Sequence, residues 1–201
     1  MSLKNIKLSQ SLIPKYSVEQ TIEFPIYEID LTNIIDNDKI LNLINSGPII
    51  YNKKEYCQLL INHANDDNEG VYESVTNLHT NNDWKFFVDE ILNMVKLVEN
   101  KLRPDAKIKT SPEFFHMWYA LCNKKGGQIM HQHGWQAKWA VVYYAQANDN
   151  DAPITFKHKF GELSIKPKTG KLLLFPGTCW HKVELQTSDS KRIAVVGNIG
   201  F

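Results

Sequence analysis

Hydrophobic positions change their period near the middle of the chain. Between Asp38 and Ser46, Ile40, Leu41, Leu43 and Ile44 recur at helical spacing, and Ser46-Gly47-Pro48 ends the run. Trp84, Phe87, Val88, Ile91, Val95, Val98 and Leu102 keep the i, i+3, i+4, i+7 pattern for about five turns. That spacing predicts a helix with one apolar face laid on a sheet, capped by Asp83 or Asn82 and ended by Arg103-Pro104. Between these helices, Asn62–Asp83 is polar and turn-rich, and Asn65-Asp66-Asp67-Asn68-Glu69-Gly70 has no apolar residue to bury. It reads as a surface loop, placed to shape a pocket if it folds over the mouth of the core.

From Glu113 onward the pattern becomes short runs of β-branched and aromatic residues. Strands are expected over Phe114–Cys122, Gln128–His133, Ala137–Gln146, Pro153–Lys157, Glu162–Ile165, Lys171–Phe175, Trp180–Gln186 and Arg192–Asn198. Turn signals at Lys125-Gly126-Gly127, Asn148–Asp151, Pro167–Gly170 and Thr187–Ser190 separate them, the glycine pair being read as a hairpin turn. Links this short join antiparallel strands, because parallel ones need long crossovers. The expectation is a mainly β, α+β chain: an antiparallel sandwich or jelly roll with helices on one face. Residues 1–201 read as one domain, with 1–112 as a helical support region and 113–201 as the β core.

Composition narrows the function classes. The chain has 201 residues, with 23 Lys and Arg against 22 Asp and Glu, so its net charge is +1. That balance argues against duplex nucleic acid or an anionic membrane surface as partner. A hydrophobic fraction of 43% is enough for a packed core and excludes wholesale disorder. Three scattered cysteines (Cys57, Cys122 and Cys179) are too few for a disulfide framework. There is no apolar segment of secretory or membrane-spanning type, so a cytoplasmic location is expected. Oligomeric state is open, a homodimer included.

Candidate chemistry centres on histidine. His131 and His133 are two residues apart, and in an extended segment both imidazoles point to one face. His181 lies fifty residues on, and a jelly roll brings such distant strands together. A close pair plus one distant histidine is what a metal site with open positions needs, although an HxH alone is a weak signal. Arg192 opens the last strand, and a hairpin between Trp180–Gln186 and Arg192–Asn198 would bring its guanidinium beside the His181 strand. There it can grip a carboxylate through two parallel hydrogen bonds.

The order His131-Gln132-His133, Trp139-Ala140-Val141-Val142-Tyr143-Tyr144, Gly170-Lys171-Leu172-Leu173-Leu174-Phe175-Pro176, His181 and Arg192-Ile193-Ala194-Val195-Val196-Gly197-Asn198 resembles the 2-oxoglutarate and Fe(II)-dependent oxygenases. The likeness is greatest to the small bacterial and phage branch related to prolyl hydroxylases, and it spans roughly Phe114 to Phe201. It implies a double-stranded β-helix with Fe(II) on His131, His133 and His181. It also implies 2-oxoglutarate held by Arg192 and by one tyrosine of the pair Tyr143-Tyr144, with Tyr144 preferred. O2 and an unidentified primary substrate complete the expected partners, and the activity implied is that of a dioxygenase that hydroxylates. The sequence departs from the common pattern at His133, where an aspartate or glutamate is usual, and at Cys122, where some relatives carry a tyrosine or asparagine.

A second resemblance competes. Gly170 to Pro176 and on to His181, with the HxH, is similar to the cupin motifs, which would make the chain a metal-binding cupin with no need of 2-oxoglutarate. Ala137 and Lys138 replace the cupin glutamate, Leu185 replaces a common asparagine, and Arg192 has no cupin role. A metal-free jelly roll acting as a binding or structural module is the third reading. Cys179 is read as a small buried hydrophobe, and Trp135 and Trp139 as either pocket or packing residues. His63, His79, His116 and His158 have no partner at ligand spacing.

Overall fold

The computed structural model describes residues 24–47, 51–52, 70–104 and 110–201. Part of the expected loop (62–69), Cys57 and His63 lie outside them. Among the described residues eleven strands form two antiparallel sheets. In chain order they are β1 (Tyr27–Asp30), β2 (Tyr51–Asn52), β3 (Val71–Glu73), β4 (Glu113–Cys122), β5 (Gln128–His131), β6 (Trp139–Gln146), β7 (Ile154–His158), β8 (Gly161–Ile165), β9 (Lys171–Phe175), β10 (His181–Val183) and β11 (Arg192–Gly200). The seven-stranded sheet runs β1-β9-β6-β11-β4-β3-β2, and the four-stranded sheet runs β5-β10-β7-β8. All eight strands expected beyond residue 113 are present, with ends shifted by a few residues.

Period-2 alternation decides which side chains face the cavity. On β6, Trp139, Val141, Tyr143 and Ala145 join the core between sheet and helices, while Ala140 and Tyr144 point into the space between the sheets. On β11, Ile193 and Val195 face the helices, and Arg192, Ala194 and Val196 line the inner side. The helix side is closed by α1 (Asn37–Ser46) and α2 (Lys85–Leu102). Asp36 caps α1 by accepting from the Lys39 amide at 3.0 Å. Phe87, Ile91, Met94, Val95 and Val98 of α2 are buried against the sheet, with Phe87 edge-on to Tyr143.

Several expectations are corrected. Asn81, and not Asp83 or Asn82, accepts the capping hydrogen bond, because a 3-10 turn over Asn82–Trp84 precedes α2. Leu102, counted in the apolar stripe, is 44% exposed at the end of the last turn. Within the described part of the expected loop, β3 pairs with β4 and extends the large sheet, and a 3-10 turn spans Leu78–Thr80. β1 extends the other edge through β9. The Lys125-Gly126-Gly127 turn is no hairpin, since β4 and β5 belong to different sheets. β10 and β11 likewise do not pair: β10 lies between β5 and β7, and β11 between β4 and β6. Among the described residues no helix is long and apolar enough to cross a membrane.

Candidate metal centre and anion pocket

His131 and His181 are direct cross-strand neighbours on β5 and β10, so the fifty-residue gap closes by strand pairing alone. Their ring centroids are 4.3 Å apart, and the His133 ring lies 5.3 Å from His131 and 5.1 Å from His181. His133 follows the end of β5 and is held through its backbone, its amide donating to the Gly177 carbonyl at 2.8 Å. Gly134 then takes φ +80°, a left-handed turn that suits glycine and leads the chain away from the site. Gly177 packs directly on Ala137, whose carbonyl oxygen and Cβ a side chain would strike. These two glycines fix the loop that carries His133.

One ring nitrogen from each imidazole falls within 4.8 Å of the other two. Ligands sharing a metal at ~2.1 Å must approach more closely than that, which small side-chain rotations supply. Backbone carbonyls select the tautomer. His131 Nδ1 lies 2.9 Å from the Ile129 carbonyl, and His181 Nδ1 lies 2.9 Å from the Cys179 carbonyl. A carbonyl can only accept, so each Nδ1 carries the proton and each Nε2 keeps its lone pair for a metal. Neutral imidazole donors of this kind fit Fe, Zn, Cu or Ni.

Burial keeps the three rings neutral. It lowers His131, an effect that the Ile129 carbonyl and the Glu73 charge oppose. Burial and then repulsion by His131 bring His133 to about 4. Burial and then His131 bring His181 to about 3, against the Cys179 hydrogen bond. The folded values of His133 and His181 thus lie below the ~6.5 of a free imidazole. As pH falls from about 6.5 towards 4, the unfolded chain takes up protons before the native site does, so the metal-free native state loses stability over that window. Thermal melts should therefore show the metal-free protein less stable at pH 5 than at pH 7.5, a loss that the His133→Asn, His181→Asn double variant should reduce.

A cavity between the sheets, about 580 Å³ including the part open to solvent, connects this cluster to Arg192. Arg192 is 7% exposed, donates from Nη1 to the Ala152 carbonyl at 2.7 Å, and lies opposite Cys122 in the β11–β4 register. Among the described residues it forms no ion pair. The cavity therefore holds, besides the buried Glu73, a desolvated guanidinium with donors to spare, whose burial an anion seated directly on it would offset. Tyr144 lines the same cavity, whereas Tyr143 turns to the helix side and its hydroxyl donates to Asn37 Oδ1 at 3.2 Å. Burial pushes the Tyr144 phenol up to about 12, partly offset by Arg192, so it stays protonated as a donor.

The remaining sequence candidates fall elsewhere. Cys179 is fully buried in the inter-sheet core. Trp139 packs on the helix side and donates to Glu99 Oε1 at 2.7 Å, while Trp135 is 84% exposed. Lys138, at a cupin glutamate's place, pairs with Glu99 at 3.0 Å. Three cavity residues carried no signal in the sequence: Glu73 and Trp118, on the inner faces of β3 and β4, and Gln128, whose Nε2 is 3.5 Å from Glu73 Oε1.

Residues 155–198 match the family model described as "Putative 2OG-Fe(II) oxygenase". A search by sequence among curated proteins finds no match. Among solved structures, the chain is similar to a prolyl hydroxylase from Trichoplax adhaerens in complex with a hypoxia-inducible-factor peptide (TM-score 0.60, 16% identity, 87% of this chain and 83% of that one). It is similar as well to a viral collagen prolyl hydroxylase of Paramecium bursaria Chlorella virus-1 in its 2-oxoglutarate complex (0.58, 15%, 87% and 94%). A third is a Pseudomonas putida prolyl-4-hydroxylase (0.56, 14%, 87% and 91%). At these identities the likeness establishes the jelly-roll fold, which the chain shares with the 2-oxoglutarate and Fe(II)-dependent oxygenases.

Proposed function

We propose that the chain is an Fe(II)- and 2-oxoglutarate-dependent dioxygenase that hydroxylates a C–H bond, working as one domain in which residues 1–112 support the β-helix core of 113–201. The observation that carries this reading is the buried Arg192, which forms no ion pair among the described residues, in the same cavity as the three histidines. A cupin needs no such cation, whereas a dianionic cosubstrate does.

In this reading His131, His133 and His181 hold the metal, and Arg192 with Tyr144 holds the far carboxylate of 2-oxoglutarate. Bound Fe(II) supplies the redox capacity to activate O2, with 2-oxoglutarate leaving as succinate and CO2 as one oxygen atom enters the substrate. The chain's own residues orient and desolvate. Arg192 and the protonated Tyr144 fix the acid end of the cosubstrate, and the carbonyls of Ile129 and Cys179 hold two imidazoles in the metal-binding tautomer. Phe156 and Phe175 pack against His181 at 5.8 and 4.9 Å and keep water from that side of the site.

Conversion of 2-oxoglutarate to succinate by Fe(II)-loaded protein in air tests the proposal. Succinate formation that requires Fe(II) and all three histidines is expected. Stoichiometric metal with no response to 2-oxoglutarate would favour the metal-binding cupin, and no metal uptake would favour a binding module.

A further inference from the structure

Gln186, just beyond β10, is wholly buried in a segment otherwise built as a surface turn. Its Oε1 accepts from the Ala152 amide at 2.6 Å. Its Nε2, with two hydrogens to give, lies 2.6 Å from Asp151 Oδ1, 2.8 Å from Ser188 Oγ and 3.2 Å from the Ser190 carbonyl. The backbone of Gln186 is tied as well, its amide to the Gly126 carbonyl and its carbonyl to the Lys125 amide. Asp151, 3% exposed, also accepts from the Asn148 amide at 2.7 Å and from the Ser188 and Ser190 hydroxyls. Ala152 is thus gripped on both sides of its Cα: Gln186 takes its N–H, in the Asp151–Ala152 peptide, and its carbonyl, in the Ala152–Pro153 peptide, accepts from Arg192.

We infer that Gln186 is a positioning residue for Arg192, carrying the fixed Asp151 and Ser190 cluster through the backbone of Ala152 to the guanidinium. The arrangement solves a specific problem. A carboxylate placed directly on Arg192 would hold it still and would also neutralise the charge that the cavity uses. Relaying the anchor through a neutral amide and the backbone of Ala152 fixes the guanidinium while leaving its charge and most of its donors for a ligand. If the backbone of Ala152 moves, the fork moves with it, and bidentate recognition of a carboxylate tolerates little displacement.

The consequence for 2-oxoglutarate rests on the function proposed above, whereas the positioning itself does not, and the two are measured separately. The sequence contains only two arginines, Arg103 and Arg192, so the arginine Nε–H region of a nitrogen-correlated NMR spectrum resolves the second directly. In the metal-free, ligand-free protein, Gln186→Met should shift and broaden the Arg192 signal and leave Arg103 unchanged. In Fe(II)-loaded protein under argon it should weaken 2-oxoglutarate binding about tenfold while metal affinity stays within twofold. Should Gln186→Met not fold, as judged by circular dichroism, the Ser188→Ala, Ser190→Ala double variant loosens the same anchor and should weaken binding about threefold. A folded variant with an unaltered Arg192 signal and unchanged 2-oxoglutarate binding overturns the inference. A mobile Arg192 in a protein whose wild-type form ignores 2-oxoglutarate supports the positioning and removes the cosubstrate assignment.

Discussion

Replacing Arg192 by alanine is expected to leave metal uptake intact and to raise the 2-oxoglutarate concentration for half-maximal turnover by at least about 100-fold. Arg192 sits at the end of the cavity near Ala152 and Cys122, away from the histidine pair on β5 and β10. Two charge-assisted hydrogen bonds to one carboxylate are worth roughly 1.5–3 kcal/mol each, so losing both costs at least two orders of magnitude in binding. Arg192→Lys keeps the cation and loses the planar fork, and should fall between wild type and alanine. Stability should change little, because removing a buried cation that has no ion pair among the described residues offsets the loss of the Ala152 hydrogen bond. Isothermal titration with metal and then with 2-oxoglutarate separates the effects. Turnover with unaltered 2-oxoglutarate dependence in Arg192→Ala would refute the cosubstrate assignment.

The second large effect is expected at His181. It is 3% exposed, lies opposite His131 in the ladder, and presents Nε2 because Nδ1 is committed to the Cys179 carbonyl. His181→Ala removes the only candidate ligand contributed by β10 and leaves two imidazoles from one short segment. Stoichiometric Fe(II) uptake should be lost at micromolar protein, read by metal analysis after gel filtration. The void beside Phe156 and Phe175 should cost roughly 2–3 kcal/mol of stability, leaving the chain folded by circular dichroism. Retention of one equivalent of metal in the folded variant would place the site elsewhere.

The sequence made legible those features that depend on local period. Alternation along Trp139–Gln146 predicts that Tyr143 and Tyr144 face opposite ways, and the structure turns Tyr144 to the cavity. The HxH spacing likewise brings two imidazoles to one place. What escaped depends on which sheet a strand joins. Only eight residues separate Val183 from Arg192, a length that fits a hairpin, yet the chain crosses between sheets there, and Arg192 faces the histidines' cavity from the other sheet. β3 has three residues, too few to establish a period of two beside so polar a stretch, so Glu73 was hidden in an apparent loop. Gln186 left no trace because a lone glutamine near serines is ordinary turn composition. Its burial follows only from Asp151 and Ala152 arriving on a separate strand connection.

In the proposed function the triad is a three-histidine iron site beside an arginine clamp. Its most direct test is an anaerobic titration of metal-free protein with Fe(II) and then 2-oxoglutarate, followed by visible absorbance. A weak charge-transfer band that saturates at one equivalent of each, and is absent from both Arg192→Ala and His181→Ala at the same concentrations, is the predicted result. Iron bound at one equivalent with no band at any 2-oxoglutarate concentration would contradict it.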